Sequence, residues 1–271
     1  MEENKKEHLA LATGFVLILF VLAFTLFRYD KSPDKNLDPK TVSGPSSKSQ
    51  QKFNTISPND LQKKISLKSN NIAMLDVRSF EAYIEEHIID SIGIPLDEFP
   101  VEQKIDGRSQ IIVIGQSAND ENIGTAVEKL KGEKFKDILV LAGGIDAWKQ
   151  SLSGTVSYGN PKSFVDQSKV SYLDPEQLND ALKAEVPLFI VDVRSKAEFS
   201  KGHIKGALNI PFDELEKRRG EITERKAVVV GANELEEFQA SVQLYDMLLI
   251  SPFVMRTAMP GWESKGFPLT Q

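Results

Sequence analysis

Two aspartate–arginine pairs, each followed by a histidine, hold the side chains of this sequence whose types and spacing suggest chemistry. Leu75-Asp76-Val77-Arg78-Ser79 runs on to His87-Ile88 and Ile94-Pro95-Leu96-Asp97-Glu98, and Val191-Asp192-Val193-Arg194-Ser195 runs on to His203-Ile204 and Ile210-Pro211-Phe212-Asp213-Glu214. Asp76 to Asp192, His87 to His203 and Pro95 to Pro211 share one offset of 116 residues, so the stretches superpose without a gap. A carboxylate, a guanidinium and an imidazole can bind an anion or move a proton. Each histidine, however, is a lone one beside a turn, and His87 and His203 read as structural. The only other histidine is His8. No cluster has metal-ligand spacing, so no metal and no cofactor is expected.

The elements that must position these residues alternate strand and helix. Ser57-Pro58-Asn59-Asp60-Leu61 and Asp174-Pro175-Glu176-Gln177-Leu178 look like capped helix starts, with proline in the first turn and a carboxylate near the positive helix end. Residues 72–77, 188–193, 111–114 and 227–230 are β-rich and nearly all apolar, which suits strands covered on both faces of a parallel sheet. Residues 122–130 and 235–249 read as helices. The alternation predicts α/β domains, each a mainly parallel sheet with helices on both faces.

The chain has 271 residues, more than one ordinary domain, and the repeat divides it into two copies of one. A net charge of −6 with mixed acidic and basic residues argues against nucleic acid as a partner. There is no cysteine, hence no disulfide, thiolate metal site or thiol redox chemistry. Residues Leu9 to Phe27 form an uncharged apolar run flanked by Lys5, Lys6, Arg28 and Lys31. As a helix it would reach about 28 Å at ~1.5 Å per residue, enough to cross a membrane. It exceeds a signal-peptide core of roughly 7 to 15 residues, and no small-x-small cleavage pattern follows it, so an uncleaved single-pass anchor is expected, of the bacterial inner-membrane kind. The basic residues on its two sides compete, which leaves the side of the soluble domains open. The predicted order is a tail over 1–8, a transmembrane helix over 9–27, a flexible polar linker over 28–52, a domain over 53–150, a linker over 151–169 and a second domain over 170–271.

Asp-Val-Arg before Gly202-His203-Ile204-Lys205-Gly206-Ala207-Leu208-Asn209-Ile210-Pro211 resembles the rhodanese family of sulfurtransferases, as does Gly143-Gly144-Ile145-Asp146-Ala147-Trp148 near the end of the first copy. The second copy ends in a degraded form, Thr257-Ala258-Met259-Pro260-Gly261-Trp262, while the first departs at Ala82 and Glu86, where the second has Glu198 and Gly202. The resemblance implies two tandem rhodanese-like domains. It places Asp-Val-Arg at the carboxyl end of the sheet, where Asp76 and Asp192 can accept backbone N–H bonds and Arg78 and Arg194 can reach carboxylates or carbonyls.

In that family a cysteine thiolate opens the loop after the next strand and carries a persulfide, with loop N–H groups holding the anion. Carried onto this sequence, the cysteine positions fall on Gly115 and Gly231. Glycine has no atom to attack thiosulfate or to carry sulfane sulfur. The loops continue as Gln116-Ser117-Ala118-Asn119-Asp120-Glu121 and Ala232-Asn233-Glu234-Leu235-Glu236-Glu237, where an anion site would favour Arg, Ser and Gly. A fixed negative charge about 6 Å from a bound anion would oppose it by roughly 3 kcal/mol at an effective dielectric of ~20. The acids also read as helix N-capping groups. The expected function is therefore a membrane-anchored, non-catalytic scaffold or regulatory module that binds a protein partner. The alternatives are a sulfurtransferase in which another residue replaces cysteine, and a small-molecule sensor using the vacated pocket.

Overall fold

The computed structural model describes residues 53–67, 71–248 and 250–271. The predicted membrane helix over 9–27 and the linker over 28–52 lie outside the described residues. Among the described residues no helix is long and apolar enough to cross a membrane.

The first repeat opens with β1 (Thr55–Ile56) and α1 (Pro58–Ser66), the latter capped by Ser57, whose Oγ accepts from the Asp60 N–H at 3.1 Å. Then come β2 (Ile72–Asp76), α2 (Phe80–Glu85), β3 (His87–Ile88), β4 (Ile92–Gly93), β5 (Gln110–Ile114), α3 (Asn122–Gly132), β6 (Ile138–Leu141) and α4 (Gly144–Gln150). After β7 (Thr155–Val156) and the short α5 (Phe164–Gln167), the second repeat follows the same plan: β8 (Ser171–Leu173), α6 (Pro175–Lys183), β9 (Ile190–Asp192), α7 (Lys196–Lys201), β10 (Leu208–Asn209), α8 (Leu215–Arg218), β11 (Lys226–Val230), α9 (Glu234–Leu248), β12 (Ser251–Met255) and α10 (Ala258–Ser264).

Each repeat builds one five-stranded sheet of parallel pairs, ordered β1-β6-β5-β2-β4 and, read in the same sense, β8-β12-β11-β9-β10. The strand side chains alternate between two cores. Ile111 and Val113 face Ile123, Ala126 and Leu130 of α3, whereas Ile112 and Ile114 face Leu61 of α1 and Ile145 and Trp148 of α4. The second sheet divides likewise, with Val191 and Val229 against Ala240 and Leu244 of α9, and Val228 and Val230 against Leu178 of α6 and Trp262 of α10. Covering both faces explains the near-continuous apolar strands, and each such side chain contributes about 1.5–3 kcal/mol on burial.

The stretch after residue 150 is more than a connection. β7 pairs antiparallel with β3, and Trp148 Nε1 donates to the Gly154 carbonyl at 3.0 Å, so residues 151–156 close the first domain. The second repeat closes the same way, through a His203–Thr270 bridge and a bond from Trp262 Nε1 to the Pro268 carbonyl at 3.1 Å. A two-residue strand has no readable period, and Gly154 signals a turn whether or not the chain folds back.

Across the repeats, Glu216 accepts from the Asp90 N–H at 2.7 Å and meets His87 Nε2 at 2.9 Å, while Arg219 grips the Asp90 carboxylate through both terminal nitrogens at 2.8 Å. Tyr158 stands edge-on to Phe212 at 5.4 Å and to His87 at 5.7 Å. Glu216→Ala would strand His87 Nε2 and the Asp90 N–H together. The expected loss is about 1–3 kcal/mol, read as a lower unfolding midpoint, with Arg219→Ala costing less because its partner is half exposed.

Candidate functional site

The buried aspartates sit at the carboxyl ends of β2 and β9. Asp76 Oδ1 accepts from Arg78 N at 3.1 Å and Nε at 3.0 Å, and its Oδ2 accepts from Nη2 at 2.8 Å. Asp192 repeats this with Arg194, at 3.0 Å from N, 3.0 Å from Nε and 2.6 Å from Nη2. Each arginine also ties down the residue that ends the following helix, Arg78 through the Glu86 carbonyl at 2.6 Å and Arg194 through the Gly202 carbonyl at 2.9 Å. Such carbonyls have no partner within the helix, so these arginines finish α2 and α7.

Both histidines are held by the same helices. His87 Nδ1 meets the Tyr83 carbonyl at 2.9 Å with its ring stacked on Tyr83, and His203 Nδ1 meets the Phe199 carbonyl at 3.1 Å with its ring stacked on Phe199. His87 spends its second nitrogen on Glu216.

The loops after β5 and β11 begin at Gly115 and Gly231. In the first, Asp120 accepts from the Gln116 N–H at 2.7 Å and the Asn122 N–H at 2.9 Å. In the second, Glu237 accepts from the Gly231 N–H at 2.8 Å and Glu236 from the Ala232 N–H at 2.6 Å, while Asn233 caps Glu236 N at 3.0 Å. The N–H groups of Gln116, Asn122, Gly231 and Ala232 are thus bound to the protein's own carboxyl groups, and that of Glu236 to the Asn233 carboxamide. Ser117 and Asn119 make no side-chain hydrogen bond among the described residues, and Glu234 is exposed at the start of α9.

Space at the glycines is taken as well. A Cβ on Gly115 would meet Asp120 Oδ2 at 2.6 Å and Ile123 Cδ1 at 2.7 Å; one on Gly231 would meet Glu237 Cγ at 2.8 Å. Glu237 is fully buried, and burial pushes its carboxyl up to about 9, against the pull of the Gly231 N–H. It is a neutral acid at pH 7. Burial also raises Glu236, with the Ala232 N–H opposing. The sequence puts the acids of this loop beside the anion cradle, whereas the particular N–H groups that Glu236 and Glu237 bind depend on where α9 starts. Nothing local marks Glu216, which acts across the repeats.

Gly143 and Gly144 wedge α4 under the first loop, with Ile145 N and Asp146 N donating to the Gly115 and Gln116 carbonyls at 3.0 and 3.1 Å. Their φ angles are +76° and +60°, and a Cβ on Gly144 would meet the Gly115 carbonyl oxygen at 2.4 Å. In the second domain Thr257 and Ala258 adopt φ of +66° and +50°. A β-branched residue there is strained, so Thr257→Gly is expected to stabilise the protein by about 1 kcal/mol, seen as a higher melting temperature. Among the described residues no group of three or more His, Asp or Glu could hold a metal ion.

A rhodanese-like domain profile matches residues 57–151 and 174–265. The chain belongs to the rhodanese-like family. It is 30% identical over 119 residues to the uncharacterized Synechocystis protein slr1261, covering 43% of this chain and 64% of that one. It is 29% identical over 87 residues to YrkF of Bacillus subtilis, whose name proposes a sulfur-carrier role, covering 32% of this chain and 47% of that one. The chain therefore spans less than two thirds of either relative. Among solved structures, a thiosulfate sulfurtransferase of Pseudomonas aeruginosa matches at a TM-score of 0.42 and 20% identity, over 81% of this chain and 44% of that one.

Proposed function

We propose that this tandem rhodanese-like protein is non-catalytic and works at a membrane as a protein-binding scaffold or regulatory module. The observation that carries the reading is the state of the two loops. Gly115 and Gly231 stand where the family's thiolate is expected, the chain has no cysteine, and Asp120, Glu236 and Glu237 take up loop N–H groups that an anion would need. The apolar run Leu9 to Phe27 supplies the anchor in this reading. Crosslinking in native membranes followed by affinity capture should recover a reproducible protein partner that is lost when either domain is removed. Recovery of none, with both domains intact, would sink the scaffold role.

Restoring the thiol alone should not restore sulfur chemistry. Gly231→Cys would drive its Cβ into Glu237, so the variant is expected to lose about 1–3 kcal/mol of stability and to form no thiocyanate from thiosulfate and cyanide. Turnover by Gly231→Cys above the wild-type level would show that the second loop still binds the anion.

A further inference from the structure

The aspartate–arginine pairs of the two repeats differ at one nitrogen, the arginine Nη1. In the first domain Arg78 Nη1 donates to Gln116 Oε1 at 3.2 Å, and Gln116 Nε2 donates onward to Asp146 Oδ1 at 2.7 Å. A carboxamide bridges a guanidinium and a carboxylate. At the matched positions of the second domain, Gln116 is replaced by Ala232 and Asp146 by Pro260. Arg194, only 5% exposed, keeps its bonds from Nε and Nη2, but its Nη1 has no hydrogen-bond partner among the described residues. A cavity of about 220 Å³ opens there, lined by Arg194, Ala232, Met259, Pro260, Lys201 and Glu263 among others.

We propose that this cavity binds a primary carboxamide, whose oxygen accepts from Arg194 Nη1 and whose NH₂ group turns to Glu263, as Gln116 does internally in the first domain. The surrounding charge favours a neutral acceptor over an anion. Arg194 is already matched by Asp192, Lys201 lines the cavity together with Glu198 and Glu263, and Glu236 lies close enough to feel Arg194. A carboxylate ligand would add a negative charge among these acids, at a cost set by the distances involved. Met259 and Pro260 supply an apolar wall for the stem that carries the amide. Arg194 Nη1 is left free to take an acceptor at the place where the Gln116 carboxamide meets Arg78 in the sister domain. The inference rests on the reading that the second domain performs no sulfur chemistry.

The test uses the full chain in detergent micelles with ¹³C-methyl methionine. Met259 reports on the cavity and Met74, in the first domain, serves as the control. N-acetylglutamine methylamide, free glutamine and N-acetylglutamate methylamide are the probes. Either amide should shift the Met259 signal saturably in roughly the millimolar range, with Met74 unmoved and the glutamate probe at least about tenfold weaker. Binding of the capped amide points to a glutamine side chain as the source, and binding of free glutamine alone points to a free metabolite. Ala232→Gln, which offers Arg194 an internal carboxamide, and Ala232→Leu, which plugs the cavity without an amide, should both abolish the shift. No saturable shift with either amide, an equal shift with the glutamate probe, or a shift that persists in a folded Ala232 variant would overturn the proposal. Partner capture and sulfur transfer report on the scaffold and non-catalytic readings separately, so failure here leaves them standing.

Discussion

Arg194→Ala is expected to cost about 3–5 kcal/mol, a large share of the ~5–15 kcal/mol that holds an ordinary domain together. The substitution leaves the fully buried Asp192 carboxylate with the backbone N–H of residue 194 in place of a guanidinium fork, and it frees the Gly202 carbonyl at the end of α7. A buried charge without its partner retains its desolvation cost and loses the attraction that offset it. Replacing both members, as Asp192→Asn with Arg194→Met, should cost far less, because no charge is then stranded. Urea unfolding followed by circular dichroism would separate the two cases. A single-variant loss under about 1 kcal/mol would mean that water reaches Asp192.

Glu237→Gln should stabilise the protein increasingly as pH rises. The wild-type carboxyl is held up to about 9 in the fold, from an ordinary value of 4.5. Between those values the folded state keeps a proton that the unfolded state has released, so this group's contribution to stability falls with rising pH and levels off above about 9. The slope is about 1.4 kcal/mol per pH unit, which amounts to roughly 3 kcal/mol by pH 7. Gln at this place keeps an oxygen to accept from Gly231 N and has no proton to lose. The difference between the two proteins should shift in favour of the Gln variant from about pH 4.5 through pH 8 in a series of unfolding curves, from an offset set by the Gln NH₂ group at the place where Glu237 Oε2 has no partner. Parallel curves would mean that Glu237 ionises in place.

The repeat made the fold legible. Strands with no polar break, such as Ile111-Ile112-Val113-Ile114, can be buried only between two helical layers, and Ser57-Pro58 and Asp174-Pro175 mark helix starts through chemistry confined to a single turn. The glycines at 115 and 231 were visible through the shared offset. Less visible was what occupies the loops, since Glu237 lies six residues beyond Gly231 and reaches it only because α9 begins at Glu234. The clasp at His87 was hidden for a different reason: Glu216 has no counterpart in the first repeat, where the same offset gives Pro100, so the internal comparison is silent about it. The closing strands β3 and β7, two residues each, are too short for any periodic signal.

The most direct measurement of the central claim is sulfur transfer from thiosulfate to cyanide by the full chain in detergent, against a blank without protein and an active sulfurtransferase as positive control. With no thiol in the chain and the N–H groups of Gln116, Gly231 and Ala232 bound to its own carboxyls, thiocyanate should form at the rate of the blank. Thiocyanate formation that rises in proportion to protein concentration would contradict it.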